Sequence, residues 1–128
     1  MSTTRITRNP APVIPGIADS VRLSSGDTVF ISGQIGFEAD GSRPATFERA
    51  VELTYAQLER AMSTWGATYD DLVRVNAYIT HLDQEKLAVW RKTRDRVMNG
   101  SAASASTVIG VAGLFNDAEF EIDAILSA

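Results

Sequence analysis

The sequence predicts an α+β domain in which two helices pack on one face of a β-sheet. Three observations lead there. Residues 28–33, Leu72–Thr80, Ala105–Val111 and residues 119–126 alternate with the period of a strand. Two segments among them repeat apolar residues at spacings of three and four instead. In each strand one face is nearly all apolar, while the other carries hydroxyl, guanidinium, amide or carboxylate groups. The first face has a core to build; the second must meet water, a partner subunit or a ligand.

Three of the four prolines, Pro10, Pro12 and Pro15, fall within residues 1–16. A short strand around residues 5–7 is expected there, followed by an irregular segment. Residues 20–23 read as a strand, and Ser24-Ser-Gly-Asp27 reads as a turn with Gly26 free to take positive φ. With 28–33 following, the two strands are expected to form a hairpin. Residues 36–44 are a loop. Thr46 then reads as a helix N-cap, with Glu48 and Glu52 near the positive end of the helix dipole. Phe47, Val51, Thr54, Leu58, Met62 and Trp65 make one helical stripe, stopped by Gly66.

Leu72–Thr80 is the clearest strand, with Val73, Val75, Ala77 and Ile79 alternating with Arg74, Asn76, Tyr78 and Thr80. The second helix starts at Asp83, with Leu82 and Leu87 spaced as a hydrophobic staple. Trp90 or Arg91, Arg94, Val97 and Met98 continue it, and Gly100 ends it. Two strands close the chain, split by a turn at Asn116-Asp117. By parity the polar face holds Thr28, Phe30 and Ser32; Arg74, Asn76 and Tyr78; Ser106, Val108 and Gly110; and Glu119, Glu121 and Asp123. Phe30, Tyr78 and Val108 on that face make oligomerisation through it the economical expectation.

The bulk numbers narrow the function classes. A chain of 128 residues, 45% hydrophobic, is one ordinary domain with enough apolar side chains for a core. The net charge of −4 argues against a general nucleic-acid surface. The absence of cysteine removes disulfides, thiolate metal sites and cysteine nucleophiles within this sequence. No apolar run reaches the roughly 18 residues of a membrane helix, and the first residues lack the apolar stretch of a secretory signal. A cytoplasmic protein without a membrane partner is expected.

Chemistry concentrates on the polar face. Ser32 opens Ser32-Gly33-Gln34-Ile35-Gly36, where Gly33 lets backbone and ligand approach closely; the other reading is a strand end and a turn. Glu121 is either solvated, in a ladder with Glu119 and Asp123, or covered and available for proton transfer. Arg74, on the same face, pairs with Glu121, forms an interface ion pair, or holds a substrate carboxylate. Ser106 and Thr107 bring hydroxyls near a strand start. His81 is the sole histidine, so no transition-metal site is expected within one chain, and no cofactor is called for. There is no phosphate loop, no dinucleotide fingerprint and no nucleophile elbow. The basic run Arg91-Lys-Thr-Arg94-Asp-Arg96 reads as a solvated helix face.

Val29-Phe-Ile-Ser-Gly-Gln-Ile35, Val73-Arg-Val-Asn-Ala-Tyr-Ile79 leading into His81-Leu-Asp83, and Val111-Ala-Gly-Leu114 followed by Phe120-Glu-Ile-Asp-Ala-Ile125 together resemble the RidA/YjgF family of small trimeric proteins. The resemblance runs over residues 21–126. It implies a chorismate-mutase-like fold with a mixed sheet, and a homotrimer with small-molecule clefts between subunits. It also implies hydrolysis of reactive enamines and imines, such as 2-aminoacrylate, to 2-keto acids and ammonia. Ser32 matches the family serine and Glu121 the family glutamate, and these two are the catalytic expectations. The arginine of the family's Pro-Ala-Arg motif, which binds the substrate carboxylate, has no counterpart; its place falls on Ser106. Ser106, Thr107, Gly33 and Arg74 are the expected substrate-binding residues, with Arg74 as the replacement cation. The leading expectation is therefore an enamine, imine or carbonyl-processing trimer with an altered substrate. A non-catalytic ligand-binding or chaperone-like trimer is the alternative. Ribonuclease or translation-inhibitor activity, an older family label, is the weaker one.

Overall fold

The structure, a computed structural model, describes residues 5–101 and 103–128. Residues 1–4 of the N-terminal segment, and Ala102 on the approach to the penultimate strand, lie outside the described residues. In chain order come β1 (Ile6–Pro10), β2 (Ala18–Leu23), β3 (Thr28–Gln34), α1 (Phe47–Ser63), β4 (Leu72–Thr80), α2 (Gln84–Met98), β5 (Ala105–Val111) and β6 (Phe120–Ser127). They build a six-stranded mixed sheet in the order β1-β2-β5-β4-β6-β3. β4 and β5 are parallel, and β6 is antiparallel to both β4 and β3. The expected α+β class, with both helices on one face, holds.

The helices form where their ends and stripes dictate. Thr46 caps α1 by accepting from the Arg49 amide at 3.1 Å. Val51, Tyr55, Leu58 and Met62 turn inward and are buried against Val75, Ala77 and Ile79 of β4 and Phe120, Ile122 and Ala124 of β6. Trp65 does not belong to this stripe. The helix stops at Ser63, Gly66 turns the chain at φ +66°, and the indole is 57% exposed. Asp83 caps α2 by accepting from the Lys86 amide at 2.8 Å. Its C-cap is Asn99 in the left-handed region, so Asn99 stops the helix one residue before the expected glycine. Fully burying a Leu- or Phe-sized side chain contributes roughly 1.5–3 kcal/mol, and the sandwich between α1 and β4–β6 is where such burial concentrates.

The expected hairpin between β2 and β3 does not form. β2 pairs with β1, and β3 sits at the other edge beside β6. β2 touches β5 through a single pair, Ala18 with Ala105. From there the β1–β2 ribbon crosses the end of the sheet, and two arginines fasten it. Arg8 donates to the carbonyls of Leu72, Ala103 and Asp70 at 2.6–2.8 Å. Arg5 donates to Asp71 Oδ1 at 2.6 Å and to the Ser127 carbonyl at 2.9 Å. Asp27 and Ala128 then exchange backbone hydrogen bonds, which start β3 on β6. The turn chemistry at 24–27 is real, with Gly26 at φ +93°. It changes the strand's partner instead of folding the strand back, because long-range pairing with β6 offers a full ladder.

Candidate functional site

The register fixes which side chains share the open face of the sheet. Opposite residues in a ladder point the same way. Asn76 stands opposite Asp123, Tyr78 opposite Glu121, and Phe30 and Arg74 opposite Ile125. The parallel ladder sets Arg74 beside Ala105, Asn76 beside Thr107 and Tyr78 beside Ile109. Thr107 therefore joins this face. Ser106 and Val108 stand beside Val75 and Ala77 and face the helices, opposite to the expected parity. Both faces of β5 mix apolar and small polar residues, so its alternation carried no usable sign.

Within the face, Asp123 is tied down and Glu121 is not. Asp123 accepts from Asn76 Nδ2 at 2.8 Å and from the Tyr78 hydroxyl at 2.6 Å. That bond to a carboxylate holds the Tyr78 proton and raises its pKa. Glu121 has no hydrogen-bond or ion-pair partner among the described residues. Burial, and then the nearby charge of Asp123, push its carboxyl above the usual range. The ladder of three acids does not exist, since Glu119 lies 3.3 Å from Lys86 Nζ at the sheet's end.

Gly33 explains where the Glu121 carboxylate rests. β3 bulges between Ile31 and Gln34, and any Cβ at Gly33 would collide with the Glu121 carboxylate. The glycine is there to let that side chain lie across the strand. Ser32 precedes it on the same bulge and is exposed. Thus Ser32, Gly33 and Glu121 are brought together. Arg74 is on the face too, yet it donates to Thr107 Oγ1 at 2.5 Å and makes no ion pair with Glu121.

Ser106 lies elsewhere, in a cavity of about 260 Å³ between β5 and α2 that also involves Trp90 and Arg91. No spacing in the sequence pointed to that cavity, because it joins residues from three distant segments. The roles of Asp123 and Tyr78 were half legible: both shared the parity of Glu121, but only the ladder showed that they bond to each other. His81 is exposed, at φ +49°, just after the end of β4. Among the described residues no group of three acidic or histidine side chains is disposed to hold a metal ion.

The protein is thus an α+β domain with a mixed sheet backed by two helices and an unpaired carboxylate beside a bulge on the open face. The endoribonuclease L-PSP family matches residues 15–127. The chain belongs to that family, which is the RidA/YjgF family its motifs resemble. It is 35% identical over 66 residues to the RutC family protein YjgH of Escherichia coli K12, a match that spans 52% of this chain and about half (49%) of that relative. The crystal structure of a conserved Rid-family protein of unknown function, YyfB from Yersinia pestis, superposes with a TM-score of 0.86 at 25% identity, covering 98% of this chain and all of that one. TdcF of E. coli, solved with bound serine, has a TM-score of 0.73 at 24% identity over 94% of each chain, which speaks to the fold alone.

Proposed function

We propose that this protein hydrolyses an enamine, imine or related compound to its carbonyl product, in clefts formed between copies of the chain in a cytoplasmic homotrimer. The single observation that carries the reading is the Glu121 carboxyl, unpaired and raised in pKa, resting over Gly33 beside Ser32. A carboxyl poised in this way can hand a proton to an imine nitrogen and take one from water. Water adds to the C=N carbon, Glu121 carries the proton, and the carbinolamine breaks to a ketone or keto acid and ammonia. An enamine enters the same path after protonation at carbon. Ser32 would hydrogen-bond the ligand.

Oligomerisation is supported by two features. Phe30 is 75% and Ile109 45% exposed on the face that bears Glu121, more apolar surface than a lone chain usually leaves wet. Ser106 and Glu121 lie on opposite faces of one sheet, so a cleft holding both needs two copies. The test is turnover of 2-aminoacrylate and of larger imines, with keto acid and ammonia measured. Glu121→Gln should slow turnover by about 10²–10⁴-fold; unchanged turnover removes Glu121 from the mechanism. The serine at 106 favours one second reading, a ligand-binding trimer without catalysis. Ligand-induced thermal shifts with no turnover of any imine would decide for it.

A further inference from the structure

The cavity beside Ser106 deepens the proposed function by naming a substrate class, and the inference rests on that reading. Its walls are Ile14 and Ile17 after β1, Leu87 and Trp90 of α2, and Val108 of β5, with the Ser106 hydroxyl among them. At about 260 Å³ it has the scale of a small organic molecule instead of a protein segment. The lining is aliphatic and aromatic, so a small polar compound would give up hydration there and regain little.

Two guanidinium groups border this cavity, and they are not equivalent. Arg94 is already committed: it is 6% exposed, its Nε and Nη2 both lie 3.0 Å from Asp95 Oδ1, and it stacks 4.8 Å over the Trp90 ring. Gly16 packs so closely on it that a Cβ would collide with the guanidinium. Arg94 is a wall with its charge neutralised. Arg91 is exposed at the rim and makes only a 3.5 Å hydrogen bond to the Leu87 carbonyl of its own helix. It has no ion-pair partner among the described residues. Arg74, expected to replace the family arginine, is on the other face of the sheet and engaged with Thr107. The unneutralised charge beside Ser106 is therefore that of Arg91.

We infer that this cavity takes a carbonyl or imine compound with a branched aliphatic or aromatic body, whose carboxylate is met at the rim by Arg91. The apolar part would lie against Trp90, Leu87 and Val108. The guanidinium fork of Arg91 would hold the anionic group from the helix side, in place of an arginine on β5.

The experiment uses the purified full chain carrying Trp65→Phe, which leaves Trp90 as the reporter of the two tryptophans. Phenylpyruvate, pyruvate and phenylacetone are titrated against its fluorescence, and binding is confirmed by calorimetry. Phenylpyruvate should bind at least tenfold more tightly than pyruvate. Arg91→Gln should weaken phenylpyruvate about tenfold and leave uncharged phenylacetone unchanged. Val108→Asp, at the apolar wall, should weaken both aromatic probes. Equal binding of pyruvate and phenylpyruvate, or indifference of phenylpyruvate to Arg91→Gln, overturns the inference. The two readings fail separately. A chain that hydrolyses 2-aminoacrylate yet ignores phenylpyruvate keeps its proposed activity and loses this substrate class. One that binds phenylpyruvate through Arg91 yet turns over no imine keeps the cavity and loses the activity.

Discussion

The two faces of the central β4–β6 pair use the same ladder for opposite ends. On the helix side, Ala77, Ile79 and Ile122 are fully buried in a cluster of apolar side chains with α1 and α2. On the open side the same strands present Asn76, Tyr78, Glu121 and Asp123; Asp123 accepts from Asn76 and Tyr78, while Glu121 has no partner among the described residues. One face gains its free energy from dehydrating apolar area; the other keeps a carboxyl without a donor, which costs stability once that carboxyl ionises. The carboxyl pKa is raised by burial first and by the charge of Asp123 second.

The comparison can be broken at four places. On the covered face, Leu58→Ala removes a fully buried side chain and should lower unfolding free energy by about 2–5 kcal/mol in denaturant titrations; a loss under 1 kcal/mol would mean that Leu58 is not a core residue. Gly33→Ala, on the open face, should do the reverse. Gly33 has ordinary φ, so the backbone tolerates alanine, but the Glu121 carboxyl must move. Turnover is expected to fall by about 10²-fold with little change in melting temperature, and full turnover would show that the position of Glu121 is immaterial. Phe30→Ser should leave helix content intact while shifting sedimentation toward smaller species at low protein concentration; an unaltered profile would place the subunit contact elsewhere.

The smallest effect is on pH dependence. The folded-state pKa of Glu121 is raised above the ordinary 4.5, by burial first and Asp123 second. The folded chain therefore holds that proton more tightly than the unfolded chain. Stability from this group is complete below the unfolded pKa and is lost as pH rises through the raised value. Glu121→Gln should accordingly gain on the parent chain across that window and hold a constant difference above it. Parallel melting curves at every pH would show that Glu121 is not perturbed.

Local sequence signals were enough to place the helices, the clearest strand, and Ser32 and Glu121 near one another. Alternation in Leu72–Thr80, the capping residues Thr46 and Asp83, and the stripe through Val51 and Leu58 are local signals, since propensity and period act over a few residues. Ser32 and Glu121 were legible through motif and parity. Strand partners were decided only in three dimensions. The turn at 24–27 suited a hairpin, yet Asp27 pairs with Ala128, because ladder partners are chosen among segments a hundred residues apart. The same holds for β5: its register on β4 turned Ser106 toward α2 and Thr107 toward Arg74. A one-residue choice of register exchanges the two faces of a strand. Where both faces are equally mixed, nothing short of the assembled sheet can make that choice.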